Sequence, residues 1–147
     1  MRPIKDFEEF LTLGTVKKQA PNKSRAKFLI KEAGLSFDGL NERIEKMNIN
    51  NKNANSIIKD SYDIFMELIR AKMLLEGYNA AGQGAHEAEV SYMKTLGFNN
   101  KDIDFANQLR YFRNGMVYYG TILDKEYAEK VVKFVRKIYP KLKSLLP

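Results

Sequence analysis

Apolar residues recur at alternating spacings of three and four along most of the chain, which is the pattern of one face of an α-helix. The strongest such stretch runs from about residue 55 to residue 78. The stripe that we expect to be buried consists of Ile57, Ser61, Ile64, Leu68, Ala71, Leu75 and Tyr78, widened by Phe65, Ile69 and Leu74. Because this stripe is wide, we expect a central helix covered on more than one side. No stretch alternates apolar and polar residues for long enough to predict a strand.

Residues that favour caps and turns divide the chain into helices. The predicted helix starts are Asp6, Asn22, Asn99 or Asn100, and Asp124, and the predicted ends are Gly14, Gly97 and Gly120. The asparagine-rich run 48–53 is the clearest linker. Pro140 is predicted to kink the last helix or to end its regular part.

These elements predict an all-α fold. We expect one domain over residues 1–147, in which residues 1–22 form an N-terminal extension with a short helix. Residues 23–147 are predicted to form an antiparallel up-and-down bundle of four to five main helices.

Composition narrows the chemistry. The chain of 147 residues has no cysteine and a single histidine, His86. This excludes a disulfide framework, a cysteine-based zinc site and a multi-histidine metal site, so no metal or cofactor is expected. The first residues lack the apolar run of a signal peptide, and no run approaches the length of a membrane helix. The expected location is the cytoplasm, without a membrane partner.

The formal net charge of +7 favours a polyanionic partner, RNA first among them, or an acidic protein. One basic cluster lies on one side of the last predicted helix and consists of Lys130, Lys133, Lys137 and Lys141. A second consists of Lys17, Lys18, Lys23, Arg25, Lys27 and Lys31. Either cluster is a candidate for phosphate contacts. The alternative is a solvated face, which in the last helix also suits the negative end of the helix dipole.

The segment 109–120 contains the main candidate site. Arg113 and Asn114 interrupt an otherwise apolar helix, and Tyr118 and Tyr119 follow. Burying an arginine is costly unless it is paired or faces a cavity or a partner. We therefore take Arg113, Asn114 and Tyr119 as candidate ligand-binding residues. The alternative is that Arg113 and Asn114 form an interhelical hydrogen-bonding pair that sets the register of the bundle.

The segment resembles the motif of HEPN domains, small helical bundles of prokaryotic toxin–antitoxin and defence systems. That motif has an arginine, usually followed by a polar residue, and then a histidine a few residues further on. Arg113 and Asn114 match its first half, but Tyr118 stands where the histidine is expected. The helix from Ser61 to Tyr78 also resembles the second helix of the family. The resemblance covers about residues 24–145.

The resemblance implies a homodimer in which the arginines of two subunits share a cleft. In members with the full motif the histidine acts on the ribose 2′-hydroxyl or on the leaving oxygen, and the arginine holds phosphate. A phenol, with an ordinary pKa of about 10, moves protons poorly at pH 7. We therefore expect a catalytically degenerate module that binds RNA or a nucleotide. A nucleotidyltransferase antitoxin is a further implied partner, since such enzymes adenylylate a tyrosine near the end of the motif, and Tyr119 is the candidate here.

Two other functions remain open from the sequence. One is an atypical, metal-independent endoribonuclease that uses Arg113 as a catalytic residue with Tyr118 or His86. A lone histidine near a helix start is more often a surface or capping residue, but it supplies a proton carrier if the bundle brings it near Arg113. The other is a helical protein-interaction domain without a ligand site.

Overall fold

The computed structural model describes residues 3–120 and 122–147, and for residues 117–119 it describes the backbone alone. In this part of the chain the fold is mostly helical, which confirms the all-α prediction with its short first helix. The helices are α1 (Phe7–Leu13), α2 (Lys23–Met47), α3 (Ala54–Leu75), α4 (Ala85–Thr95), α5 (Asn100–Tyr119) and α6 (Lys125–Ser144).

The bundle is organised around α3, as its wide apolar stripe predicts. Buried side chains lie on several sides of this helix, among them Ile58, Ile64, Phe65 and Ile69. Helices α2, α4, α5 and α6 all pack against α3. One large cluster of buried side chains draws on all six helices. A smaller cluster of Ala26, Leu29, Ala71 and Leu74 joins α2 to the end of α3.

A two-stranded antiparallel sheet corrects the expectation that the chain has no strand. Strand β1 (Val16–Lys18) pairs with β2 (Tyr78–Ala80), with Lys17 opposite Asn79. Strands of three residues are too short to show alternation in the sequence, so their pairing depends on the packing of the bundle. Beside the sheet, Gly77 has φ +85°, and a Cβ there would lie 2.8 Å from the Gln19 carbonyl oxygen. Glycine is therefore required where the N-terminal extension crosses the end of α3.

Local capping chemistry is confirmed at three of the four predicted starts. The side chains of Asn22, Asn99 and Asp124 accept hydrogen bonds from the backbone N–H groups of Arg25, Asp102 and Tyr127. The start at Asp6 is correct, but its carboxylate makes no capping bond among the described residues. It lies instead 3.6 Å from the ammonium group of Lys94, so an ion pair replaces the predicted cap.

Helix α6 does not end at Pro140 but continues through it to Ser144, so of the two outcomes predicted there the end is wrong. Proline removes the hydrogen bond to the carbonyl of Arg136. Both residues are exposed, so water can reach that carbonyl. No helix in the described part of the chain combines the length and the apolar character that crossing a membrane requires.

Candidate functional site

A polar pocket opens along one face of α3. This helix contributes Tyr62, Asp63, Met66, Glu67 and Arg70 to the lining. Each of them lies three or four residues from at least one other, which places the five side chains on the same side of the helix. The sequence prediction treated α3 only as the core helix, so these residues were missed. The available signal was the recurrence of charged residues at helical spacing along one edge of its apolar stripe.

Two other helices complete the pocket. His86 comes from the first turn of α4, and Arg113 and Asn114 come from α5. We call this site the Arg113 pocket, lined by Tyr62, Asp63, Met66, Glu67, Arg70, His86, Arg113 and Asn114. Its volume is about 250 Å³. Pockets for drug-sized ligands span about 300–1,000 Å³, so the site suits a phosphodiester or a ribose better than a whole nucleotide.

A buried carboxylate joins Arg70 to His86. Glu89 lies one turn after His86 on α4 and is 2 % exposed. Arg70 donates to it from Nε at 2.6 Å and from Nη2 at 3.1 Å. The His86 Nδ1 atom lies 3.1 Å from the second carboxylate oxygen. The forked guanidinium and the imidazole are therefore oriented by the same group.

Burial and pairing act in opposite directions on this network. Burial alone would raise the pKa of Glu89, but its hydrogen bonds to His86 and Arg70 outweigh burial and lower that pKa. Burial alone would lower the pKa of Arg70, and the bond to Glu89 reverses the direction. Both groups are thus held in their charged forms, and the imidazole faces a fixed negative charge at Nδ1. With Nδ1–H donated to Glu89, Nε2 is the ring nitrogen left to accept a proton.

Arg113 is held more loosely than Arg70. Its Nη2 lies 3.4 Å from Asp63 Oδ1, a long contact to a half-exposed carboxylate. Its Cζ lies 5.8 Å from the centre of the Tyr62 ring, within the range of a cation–π contact. The interhelical link to Asp63 agrees with the alternative that Arg113 sets the register of the bundle. The contact with Asp63 involves only one nitrogen, Nη2, of the guanidinium.

Two buried donors in this pocket have no hydrogen-bond partner among the residues that the structure describes. They are Arg113 Nε and the hydroxyl of Tyr62. Burial raises the pKa of Tyr62 well above that of an ordinary phenol, so its hydroxyl stays protonated as a donor. A buried donor without a partner costs about 1–3 kcal/mol. An acceptor-rich ligand such as a phosphate would satisfy them once the two side chains turn these donors towards the pocket, since neither atom is solvent-accessible.

Carboxylates moderate the positive charge of the pocket. The positive charges of Arg70 and Arg113 are offset by three nearby carboxylates, those of Asp63, Glu67 and Glu89. Burial, followed by the charges of Glu32 and Asp63, raises the pKa of Glu67 to about 6. Glu67 therefore loses its charge in mildly acidic solution, and the pocket becomes more attractive to anions as the pH falls through about 6.

The structure brings some of the predicted site residues together and leaves others apart. His86, Arg113 and Asn114 line one pocket, although they lie on two different helices. The side chains of Tyr118 and Tyr119 lie outside the described residues.

The two predicted basic clusters lie outside the pocket. None of Lys130, Lys133, Lys137 and Lys141 lines it, and Lys137 forms an ion pair with the buried carboxylate of Asp102.

No family model, curated protein or solved structure matches this chain.

Proposed function

We propose that this protein is a HEPN-like module that binds RNA, with the Arg113 pocket holding a phosphodiester. The observation that carries the proposal is that Arg113 lines one pocket with Arg70 and His86 while its guanidinium has a single long contact to Asp63 and no partner at Nε among the described residues. Arginine suits this task because it is always charged and donates in a fixed fork. The exposed lysines around the fold favour encounter with a polyanion, although they supply no geometry.

The binding test uses a labelled single-stranded RNA, the full chain and EDTA, with fluorescence anisotropy as the readout. Arg113→Ala should weaken binding about tenfold or more, since a hydrogen bond to a charged group contributes about 1.5–3 kcal/mol. The control is Lys52→Ala, which removes an exposed cation outside the pocket and outside both basic clusters. Equal losses in the two variants, or none in either, would contradict a site at Arg113.

A second candidate function is metal-independent cleavage of RNA, which the Glu89–His86 contact favours. Glu89 fixes the imidazole, and His86 is 57 % exposed in its side chain, so a large substrate can reach Nε2. In this reaction Nε2 takes the proton of a 2′-hydroxyl, and the oxygen attacks the adjacent phosphorus. The 5′-oxygen leaves and takes a proton from water, which yields a 2′,3′-cyclic phosphate and a 5′-hydroxyl. Arg113 would contact the phosphate.

Cleavage is tested on the same RNA, still in EDTA, by separating the products on a denaturing gel. His86→Ala should reduce the rate about a hundredfold, the usual contribution of a positioned proton carrier. Its folding should be unaffected, because His86 is largely exposed. No cleavage by the unmodified protein would leave RNA binding as the proposed function. Cleavage that persists in His86→Ala would point instead to another proton carrier, with Tyr118 tested next.

The homodimer belongs to the same proposal, with the second half of α5 as its interface. Tyr111 on this helix is 59 % exposed, and Ile122 just beyond it is 83 % exposed. Together with the half-buried Phe112 and Met116 they leave an apolar surface next to Arg113. Sedimentation equilibrium should find a dimer that Tyr111→Lys weakens, whereas Leu13→Lys, at an equally exposed leucine on α1, should leave it intact. A monomer at micromolar concentration would contradict this part. The nucleotidyltransferase partner stays a prediction.

A further inference from the structure

An apolar groove with lysines at its rim lies between the first half of α2 and the end of α6. We call it the lysine groove. Its rim carries Lys23, Lys27, Lys31 and Lys143, and its floor includes Ile30 and Leu75. The volume is about 740 Å³, nearly three times that of the Arg113 pocket at about 250 Å³. None of the residues of the groove lines that pocket.

The floor is apolar because it is the uncovered side of the small hydrophobic cluster. Ile30 and Leu75 pack against the buried Ala26, Leu29, Ala71 and Leu74. Leu35, at the edge of the groove, is 61 % exposed, and Phe28, two helical turns earlier on the same side of α2, is 62 % exposed. Large apolar side chains left open together in this way are typical of an interaction surface.

The lysines have no partner of opposite charge inside the described part of the chain. None of the four rim lysines forms an ion pair there, and Asp38 is the single carboxylate among the lining residues. An anionic occupant would therefore face uncompensated positive charge. Lys23, Lys27 and Lys31 follow one another at every fourth residue, so their charges repeat about every 6 Å along the helix axis.

We propose that the lysine groove docks an amphipathic helix of a partner protein, with an apolar stripe flanked by Asp or Glu residues. Carboxylates at every fourth position of such a helix would match the spacing of the lysines, and its stripe would cover the floor. The groove from Lys23 to Asp38 extends for about 22 Å, the length of about 15 helical residues. This binding mode is independent of the RNA site, because the groove and the pocket share no lining residue.

Nucleic acid fits the groove less well. Phosphates would pair with the lysines, but they would leave the aliphatic floor in water. The lining residues include no aromatic ring for base stacking, and the exposed ring of Phe28 lies outside them. A helix buries the floor and meets the charges at the same time. We therefore assign Lys23, Lys27 and Lys31 to contacts with a protein partner, in place of the phosphate contacts that the sequence predicts for their cluster.

The test is a selection from a displayed library of helical peptides against the full chain, followed by anisotropy with the enriched peptide. Peptides with an apolar stripe and flanking carboxylates should be enriched. Replacing Lys27→Glu and Lys31→Glu together should weaken the selected peptide about tenfold or more, and Leu35→Asp should also weaken it. The control pair, Lys130→Glu with Lys133→Glu, reverses two exposed lysines of α6 and should change affinity less than about twofold.

Two results would overturn the proposal. One is a library without enriched acidic helices, or an enriched helix that binds the Lys27/Lys31 double variant as tightly as the parent chain. The other is co-sedimentation of the chain with vesicles of phosphatidylserine and phosphatidylcholine that depends on Lys27, Lys31 and Leu35 while no peptide binds. That result would assign the groove to a membrane surface. All variants sit at exposed positions, so circular dichroism should show an unchanged fold.

Discussion

The Arg113 pocket and the lysine groove differ in how their polar groups are partnered. In the pocket, Arg70 is held by a carboxylate that is 2 % exposed, and burial and charge shift the pKa of several side chains. In the groove, the lysines of the rim have no ion pair among the described residues, and the floor is aliphatic. Fixed, desolvated groups suit recognition of a small charged unit, and in particular chemistry on it. A wide apolar floor edged by lysines without ion pairs among the described residues suits an extended partner that supplies its own shape.

The largest expected effect is a loss of stability when the carboxylate that holds Arg70 beside the Arg113 pocket is removed. Glu89→Ala leaves the partly buried Arg70 guanidinium without its partner, so the free energy of unfolding should fall by about 3 kcal/mol. Urea denaturation followed by circular dichroism measures this loss. Glu45→Ala, at an exposed glutamate of α2, is the matched control and should stay within about 0.5 kcal/mol of the parent. A loss below about 1 kcal/mol for Glu89→Ala would mean that the network does not hold the pocket together.

The second prediction tests whether the Arg113 pocket and the lysine groove bind their ligands independently. Arg113→Ala should weaken RNA binding about tenfold and leave the selected acidic helix unaffected. The Lys27/Lys31 charge reversal should weaken binding of the acidic helix. It should lower the affinity for RNA only slightly, and added salt should remove that small loss. Both ligands are measured on each variant by anisotropy at two salt concentrations. If either variant weakened both ligands equally at both salt concentrations, the pocket and the groove would form one surface.

The smallest expected effect concerns Glu67 and depends on pH. Its pKa of about 6 in the folded protein lies above the ordinary value of 4.5. The folded state therefore binds the proton more tightly, and stability falls as the pH rises from about 4.5 to about 6. The full penalty would be about 2 kcal/mol, and partial exposure reduces it to about 1 kcal/mol.

Glu67→Gln removes this penalty. At pH 7 it should be about 1 kcal/mol more stable than the parent chain, with the difference disappearing near pH 4.5. It should also bind RNA more tightly at pH 7, since one negative charge leaves the pocket lining. Urea denaturation and anisotropy across pH 4.5 to 7.5 measure both. An unchanged stability difference over that range would contradict the role assigned to Glu67.

Much of the helical framework was predictable from local chemistry. The caps at Asn22, Asn99 and Asp124 and the end of α5 at Gly120 involve neighbours within one turn, so the sequence contains both partners. The short sheet was not predictable, because β1 and β2 lie about 60 residues apart and each has only three residues. The missing cap at Asp6 has a similar cause, since Lys94 from a distant helix competes for its carboxylate.

Some residues of the candidate site were likewise predictable from the sequence, and others were not. Arg113 and Asn114 stand out in the sequence as polar residues in an apolar helix, and His86 stands out as the only imidazole. Their common pocket does not follow from those observations. It depends on Glu89 and Arg70, which lie 19 residues apart, and on Asp63, which lies 50 residues from Arg113. A glutamate one turn after the lone histidine was the available signal for the network.

The sequence by itself determined the helical class, most helix boundaries and the excess of positive charge, because these follow from periodicity, local caps and composition. Only the tertiary structure decided which charged side chains form ion pairs. It paired Arg70 with Glu89 and Lys137 with Asp102, and it left the lysines of the groove without partners among the described residues. The physical reason is that desolvation and pairing depend on distances between helices. Those distances are set by packing around α3 and are not encoded in any one segment.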